Sequence, residues 1–388
     1  MHASEKIDSL TSLRFFAAAM IVLGHSHRLF GSMELANTFS LAQGVSFFFV
    51  LSGFILAYNY PTLVSRGEIG AFFKARFARI WPAHIAAIFL MVWLTSDLNV
   101  GGLNRSQAVF AGLVNVLLLQ SIVPFKDVFL AFNGVSWSIS TEAFFYLAFP
   151  FLITSLLPGW KVKLLVLMGV VLAHLWFAWT WGISVDESSP QLNLMGLLYV
   201  NPIVRGLEFF IGILAFNLFS RWKASEHSAN LSPRAFTFIE CAVVITAVGS
   251  MWLSPRLTTF LGWSSGAATV MNYYLVKSGS AWAFALLILA FAFGKGRLSR
   301  YLGWGPMVLL GEISFALYLV HASVLKWYEN NVTLFGTWPD SIKTTFFWLL
   351  SLLVAWLLHK IVENPCRKLI LSKTRFEWIV AFKAGEGQ

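Results

Sequence analysis

Long apolar runs, separated by short polar stretches, set the first expectation for this chain. Runs near 8–28, 41–59, 80–96, 107–122, 137–157, 162–182, 199–219, 235–253, 280–294, 307–327 and 342–361 come close to the roughly 20 apolar residues a helix needs to cross a bilayer. The weakest is 107–122, which is short, contains Asn115 and Gln120, and runs into Pro124, Lys126 and Asp127. Charge bias decides how to read it. The stretch 60–80 holds Arg66, Lys74, Arg76 and Arg79, and the tail after Lys360 holds Arg367, Lys368, Lys373 and Arg375, so both belong on the cytoplasmic side. Counts from the two ends agree only if 107–122 fails to cross. The pattern therefore predicts an all-α polytopic membrane protein of about ten spans plus one re-entrant or interfacial segment, with both termini cytoplasmic.

Composition supports this class. The 388 residues are 57% hydrophobic and 12% charged, against roughly 25% charged in soluble domains. Disorder, a collagen-like fibre and a disulfide scaffold are excluded. The net charge of +10 follows from cytoplasmic Lys and Arg and implies no nucleic-acid partner. Cys241 and Cys366 suggest neither a disulfide nor a metal site. Arg14 interrupts the first apolar run, which argues against a cleavable signal. With no repeat, low-complexity tract or linker, residues 1–388 read as one membrane domain without an appended soluble one.

Ionisable groups inside spans cost about 2.5–3.5 kcal/mol each and need a partner or a purpose. Arg14 and His25 are eleven residues apart, close to three helical turns, and so share a face. Read alone, they fit a snorkelling arginine and an interfacial histidine equally well. In WSISTE, which opens with Trp137, Ser138 and Glu142 stand at i and i+4. Ser314, Tyr318 and His321 line one face of a later span. His25, Glu142 and His321 are thus expected at a similar depth in the outer half, where a carboxylate orienting an imidazole gives general-base chemistry. On the inner side Lys74, Arg76 and Arg79 suit phosphate binding, or are plain positive-inside anchors. Arg205 and Glu208, at i and i+3, are expected to pair within the bundle, and Glu312 to be a buried partner. Glu240 has no assignment, Glu363 is expected to hold an arginine, and His27, His84, His174 and His359 are read as interfacial or packing residues.

These residues resemble the membrane-bound acyltransferase family three, bacterial enzymes that O-acylate cell-surface sugars and some small molecules. The resemblance rests on Arg14 with ten residues before His25, GVSFFFVLSGF at 44–54, RFARIWP at 76–82, WSISTE at 137–142, RGLEFFIG at 205–212, ISFALYLVH at 313–321 and VENP at 362–365. Phe315 and Asn364 stand where the family often has Tyr and a basic residue. The resemblance implies an O-acetyltransferase of the bacterial inner membrane that uses acetyl-CoA or another acyl-CoA as donor and no metal. It acts on a glycan or glycan-lipid acceptor, in company with polysaccharide biosynthesis proteins, and His25 is the catalytic histidine.

Joined to the residue pattern, this gives a concrete expectation. Arg76, Arg79, Lys74 and Arg14 hold the coenzyme, His25 oriented by Glu142 deprotonates the acceptor or itself takes the acyl group as an acyl-histidine, and Ser138, Trp137, Tyr318 or His321 positions the acceptor or the oxyanion. A continuous path from the guanidiniums to His25 is required. The rival reading is a proton-coupled transporter of a small solute or glycan precursor, because intramembrane His, Glu and Arg also build proton relays.

Overall fold

The computed structural model describes residues 6–27, 38–96, 98, 100–154, 156–225 and 231–372. They form a helical bundle: α1 (Asp8–Ser26), α2 (Gly44–Asn59), α3 (Arg66–Thr95), α4 (Arg105–Val116), α5 (Trp137–Ile153), α6 (Leu156–Thr180), α7 (Pro202–Lys223), α8 (Pro233–Leu253), α9 (Gly266–Ser278), α10 (Ala281–Ala292), α11 (Arg297–Leu302), α12 (Gly305–Asn330) and α13 (Asp340–Leu358). Helix α13 continues through a π turn at His359–Glu363. Among the described residues, nine segments are long and apolar enough to cross a membrane. Helix α5, with 17 residues, falls just short of that length yet lies in the core through Phe145, Tyr146 and Phe149. Helix α4 has 12 residues, about 18 Å, too short to span, as its polar sequence suggests.

Two boundaries differ from the apolar pattern. The third span was expected to begin near residue 80, but α3 begins at Arg66, where Ser65 and Glu68 form a reciprocal capping box. The basic run therefore lies on a helix rather than in a loop. The span expected from 280 begins at Gly266, because α9 and α10 follow one another with a break at Gly279 and Ser280.

In lipid, helices gain little from hydrophobic association, and small residues that let backbones approach become decisive. A methyl at Gly53 of α2 would land on the Phe209 carbonyl of α7, and one at Gly212 of α7 on the Val50 carbonyl of α2. Gly311 of α12 meets the Thr11 carbonyl of α1 in the same way. These two seams hold α1, α2, α7 and α12 together. The first and last of these helices carry Arg14, His25, Tyr318 and His321.

A candidate acyl-transfer site

Helices α1, α2, α3, α5 and α12, with the end of α13, enclose a cavity of about 630 Å³. That volume lies within the range of sites for drug-sized ligands. One end is strongly basic, lined by Lys6, Arg14, Arg76, Arg79 and Arg367. Arg76 and Arg79 are i, i+3 on α3 and so project to one side. Lys74 is two residues earlier, rotated by about 200°, and is not part of the lining; its expected place beside the coenzyme site is corrected. The Arg76 guanidinium lies 5.6 Å from the Tyr60 ring centre and 5.9 Å from that of Tyr146, and Arg79 lies 6.0 Å from that of Phe315. Among the described residues, Arg14, Arg76 and Arg79 make no ion pair with a carboxylate.

Further along the cavity, Glu142 Oε1 accepts hydrogen bonds from the Tyr146 hydroxyl at 2.6 Å and the Ser52 hydroxyl at 3.2 Å. Beyond it the Ser138 hydroxyl donates to the Tyr318 oxygen at 2.7 Å, and the Tyr318 hydroxyl donates to the Val135 carbonyl at 2.9 Å. Ser138 and Tyr318 line the cavity; His321 and His25 do not. His321, fully buried one turn past Tyr318, faces His25 with His25 Nδ1 2.9 Å from His321 Nε2. His25 itself is exposed at the end of α1. The residues that follow, 28–37, lie outside the described residues.

Four expectations are corrected here. His25 takes His321, not Glu142, as its hydrogen-bond partner. Helices α5 and α12 are antiparallel, in register at Ser138 and Tyr318, so Glu142 lies one turn to one side of that contact and His321 one turn to the other. The two are about 10 Å apart in depth rather than level. Among the described residues the lining of this cavity reaches the Ser138–Tyr318 pair, one helical turn short of His321, so the expected continuous path to His25 is not seen. Trp137 is not at the site: it is buried against Phe49 and Tyr199, with ring centres 6.4 and 4.7 Å away.

Arg205 and Glu208 lie 3.0 Å apart in the core. Glu312 pairs instead with Lys6 at 2.6 Å, both about half exposed at the basic end. Glu240 is buried and accepts from the backbone of Gly296, Leu298 and Ser299 and from the Ser299 hydroxyl, capping α11. Glu363 holds His359 at 2.9 Å rather than an arginine. His359, Glu363 and Asn364 all border the cavity. Sequence reading missed His359 because the π turn that aims it inward leaves no periodic signal.

The described residues thus form an all-α bundle of apolar helices around a basic cavity that ends one helical turn short of a pair of hydrogen-bonded imidazoles. The chain belongs to the acyltransferase-three family: that family's model, described as an acyltransferase domain, matches residues 7–360. It is 27% identical over 392 residues to acyltransferase MdmB of Streptomyces mycarofaciens, covering 94% of this chain and 92% of that protein. It is 23% identical over 394 residues to O-acetyltransferase OatA of Staphylococcus aureus, covering 95% of this chain and 58% of that protein. Nodulation protein 10 of Rhizobium leguminosarum bv. viciae is 28% identical over 214 residues, covering 50% of this chain and 56% of that protein. No solved structure matches. The protein is a membrane O-acyltransferase, and the transporter reading is set aside.

Proposed function

We propose that this enzyme moves an acyl group, acetyl foremost, from cytoplasmic acyl-CoA to a hydroxyl of a cell-surface glycan or glycan precursor, in a bacterial inner membrane with both termini cytoplasmic. The observation that carries the reading is the basic end of the cavity. Four guanidiniums, those of Arg14, Arg76, Arg79 and Arg367, border one concave space and make no ion pair with a carboxylate among the described residues, and planar guanidiniums bind phosphate in bidentate fashion. The coenzyme phosphates sit against Arg76 and Arg79, and the pantetheine arm runs past Arg14 and Glu142. The acyl end stops at Ser138 and Tyr318. For transfer, the Tyr318 hydroxyl releases Ser138 and the thioester advances one helical turn.

There His25 takes the proton from the acceptor hydroxyl, and the oxygen attacks the thioester carbonyl. The tetrahedral oxyanion, held by the Tyr318 and Ser138 hydroxyls, collapses with cleavage of the C–S bond. CoA leaves as the thiol after receiving the proton from His25, and the acceptor leaves as its ester. General-base catalysis of this kind contributes about 10²–10⁴-fold. The test uses purified enzyme in lipid nanodiscs with acetyl-CoA and a glycan acceptor, following free CoA and ester formation. His25→Ala is expected to lose that factor in kcat at an unchanged KM for acetyl-CoA; near-normal turnover overturns the assignment.

A further inference from the structure

The His25–His321 contact carries more than proximity. The two imidazole planes are 15° apart, and their ring centres are separated by 5.2 Å. With nitrogens at 2.9 Å, this is an edge-on, nearly collinear N–H···N bond, since face-to-face stacking would bring the centres much closer. At the far side of His321, Nδ1 faces the Leu317 carbonyl at 3.3 Å. A carbonyl only accepts, so His321 Nδ1 carries the hydrogen. In a neutral ring the other nitrogen, Nε2, is then an acceptor. The hydrogen in the bond between the rings must therefore belong to His25 Nδ1. His25 is left with Nε2 unprotonated, on the side of the ring away from His321.

We infer that His321 is a positioning residue: through the backbone carbonyl of Leu317 it fixes His25 in the tautomer whose free Nε2 is the base. This rests on the proposed role of His25 and deepens it. The arrangement does the work of an orienting carboxylate without burying a charge. When His25 Nε2 takes the acceptor's proton, the imidazolium still donates from Nδ1 to His321 Nε2, a charge-assisted bond stronger than the neutral one. Burial of His321 and its place on a helix pinned by Gly311 against α1 keep the acceptor nitrogen where His25 needs it. The sequence shows only a Tyr and a His at i and i+3, and nothing in it says which ring nitrogen faces which partner.

The experiment compares His321→Gln, whose amide oxygen can replace the Nε2 acceptor, with His321→Met, which keeps the bulk and removes the acceptor, both as full-length enzyme in nanodiscs beside His25→Ala. His321→Met is expected to lose about 10²-fold in kcat with KM for acetyl-CoA unchanged. The acidic limb of its kcat/KM profile should move to lower pH, because the imidazolium loses its acceptor. His321→Gln should recover at least tenfold of the loss and return the limb toward the native position. An unshifted limb or failure of Gln to recover activity overturns the inference. Independently of variant folding, the 15N spectrum of native enzyme labelled at histidine should show His25 protonated at Nδ1 at neutral pH; protonation at Nε2 overturns it. If His25→Ala is fully active, the general-base reading falls. If His25→Ala is inactive while His321→Met is normal, only the role of His321 falls.

Discussion

Two arginine environments in this bundle make opposite uses of the same side chain. Arg205 is fully buried, 3.0 Å from Glu208, donates to the Ser46 hydroxyl at 3.2 Å and to that of Ser278, and lies between the Phe49 and Tyr199 rings at 5.1 and 5.2 Å. Arg76 and Arg79 also face aromatic rings, yet they border a cavity and make no carboxylate pair among the described residues. The first guanidinium is neutralised by its own chain and fastens α7 to α2 and α9. The others keep their charge directed at the cavity. A guanidinium with an internal carboxylate serves the fold, whereas one that borders open space without such a carboxylate is available to an anion.

The largest expected effect breaks the first environment. Glu208→Ala leaves the Arg205 charge buried and uncompensated, which costs about 3–5 kcal/mol. Thermal unfolding in detergent should show a strongly destabilised protein. Arg205→Met combined with Glu208→Leu should recover much of the loss, since no charge is then stranded. If Glu208→Ala unfolds like the native protein, the structural role is wrong.

An intermediate effect tests the second environment. Arg79→Gln removes one charge-assisted contact to an anion, worth about 1.5–3 kcal/mol. KM for acetyl-CoA is expected to rise roughly 10–100-fold, at unchanged melting temperature. A fall in melting temperature with normal KM would place Arg79 in the same class as Arg205.

The smallest effect concerns a third charged pair, at the edge of the bundle. Partial burial works against ionisation of Glu187, but the Lys277 ammonium at 3.1 Å and the Tyr273 hydroxyl at 2.7 Å hold its carboxyl below the usual glutamate range. A carboxylate lowered on folding adds stability above its unfolded range and loses it as pH falls through the folded one. Glu187 is 44% exposed, so screening limits the contribution to under about 1 kcal/mol. Glu187→Gln should flatten that part of the acid dependence of the melting temperature. An unchanged acid profile would mean that the pair contributes nothing.

Much of this was legible in the residues, for identifiable reasons. The spans could be read because the hydrocarbon thickness sets one length for every crossing helix. The failure of 107–122 to span followed from Asn115, Gln120 and the polar stretch after them. The start of α3 was missed because hydropathy sees Lys74, Arg76 and Arg79 as an interruption, while the capping box at Ser65 and Glu68 that begins the helix is a local polar signal. The depth of Glu142 was misjudged because spacing along α5 says nothing about how that helix slides against α12. That register is fixed by Ser138, Tyr318 and Val135.

The amino-acid order by itself determined a helical membrane protein, its family, and a set of ionisable residues too costly to bury without cause. Those properties depend on transfer free energy and on spacing within single helices, both written locally in the chain. Only the tertiary structure decided that Arg76 and Arg79 share a cavity with Arg14 while Lys74 does not, that His25 meets His321 and not Glu142, and that Ser138 and Tyr318 stand between the cavity and the imidazoles. Each of these depends on the rotation and slide of one helix against another. In lipid such placement depends on close backbone contacts like those at Gly53 and Gly212, which share the α2–α7 seam, and at Gly311 in the α1–α12 seam, and none of these glycines carries a mark in the sequence of which partner it meets.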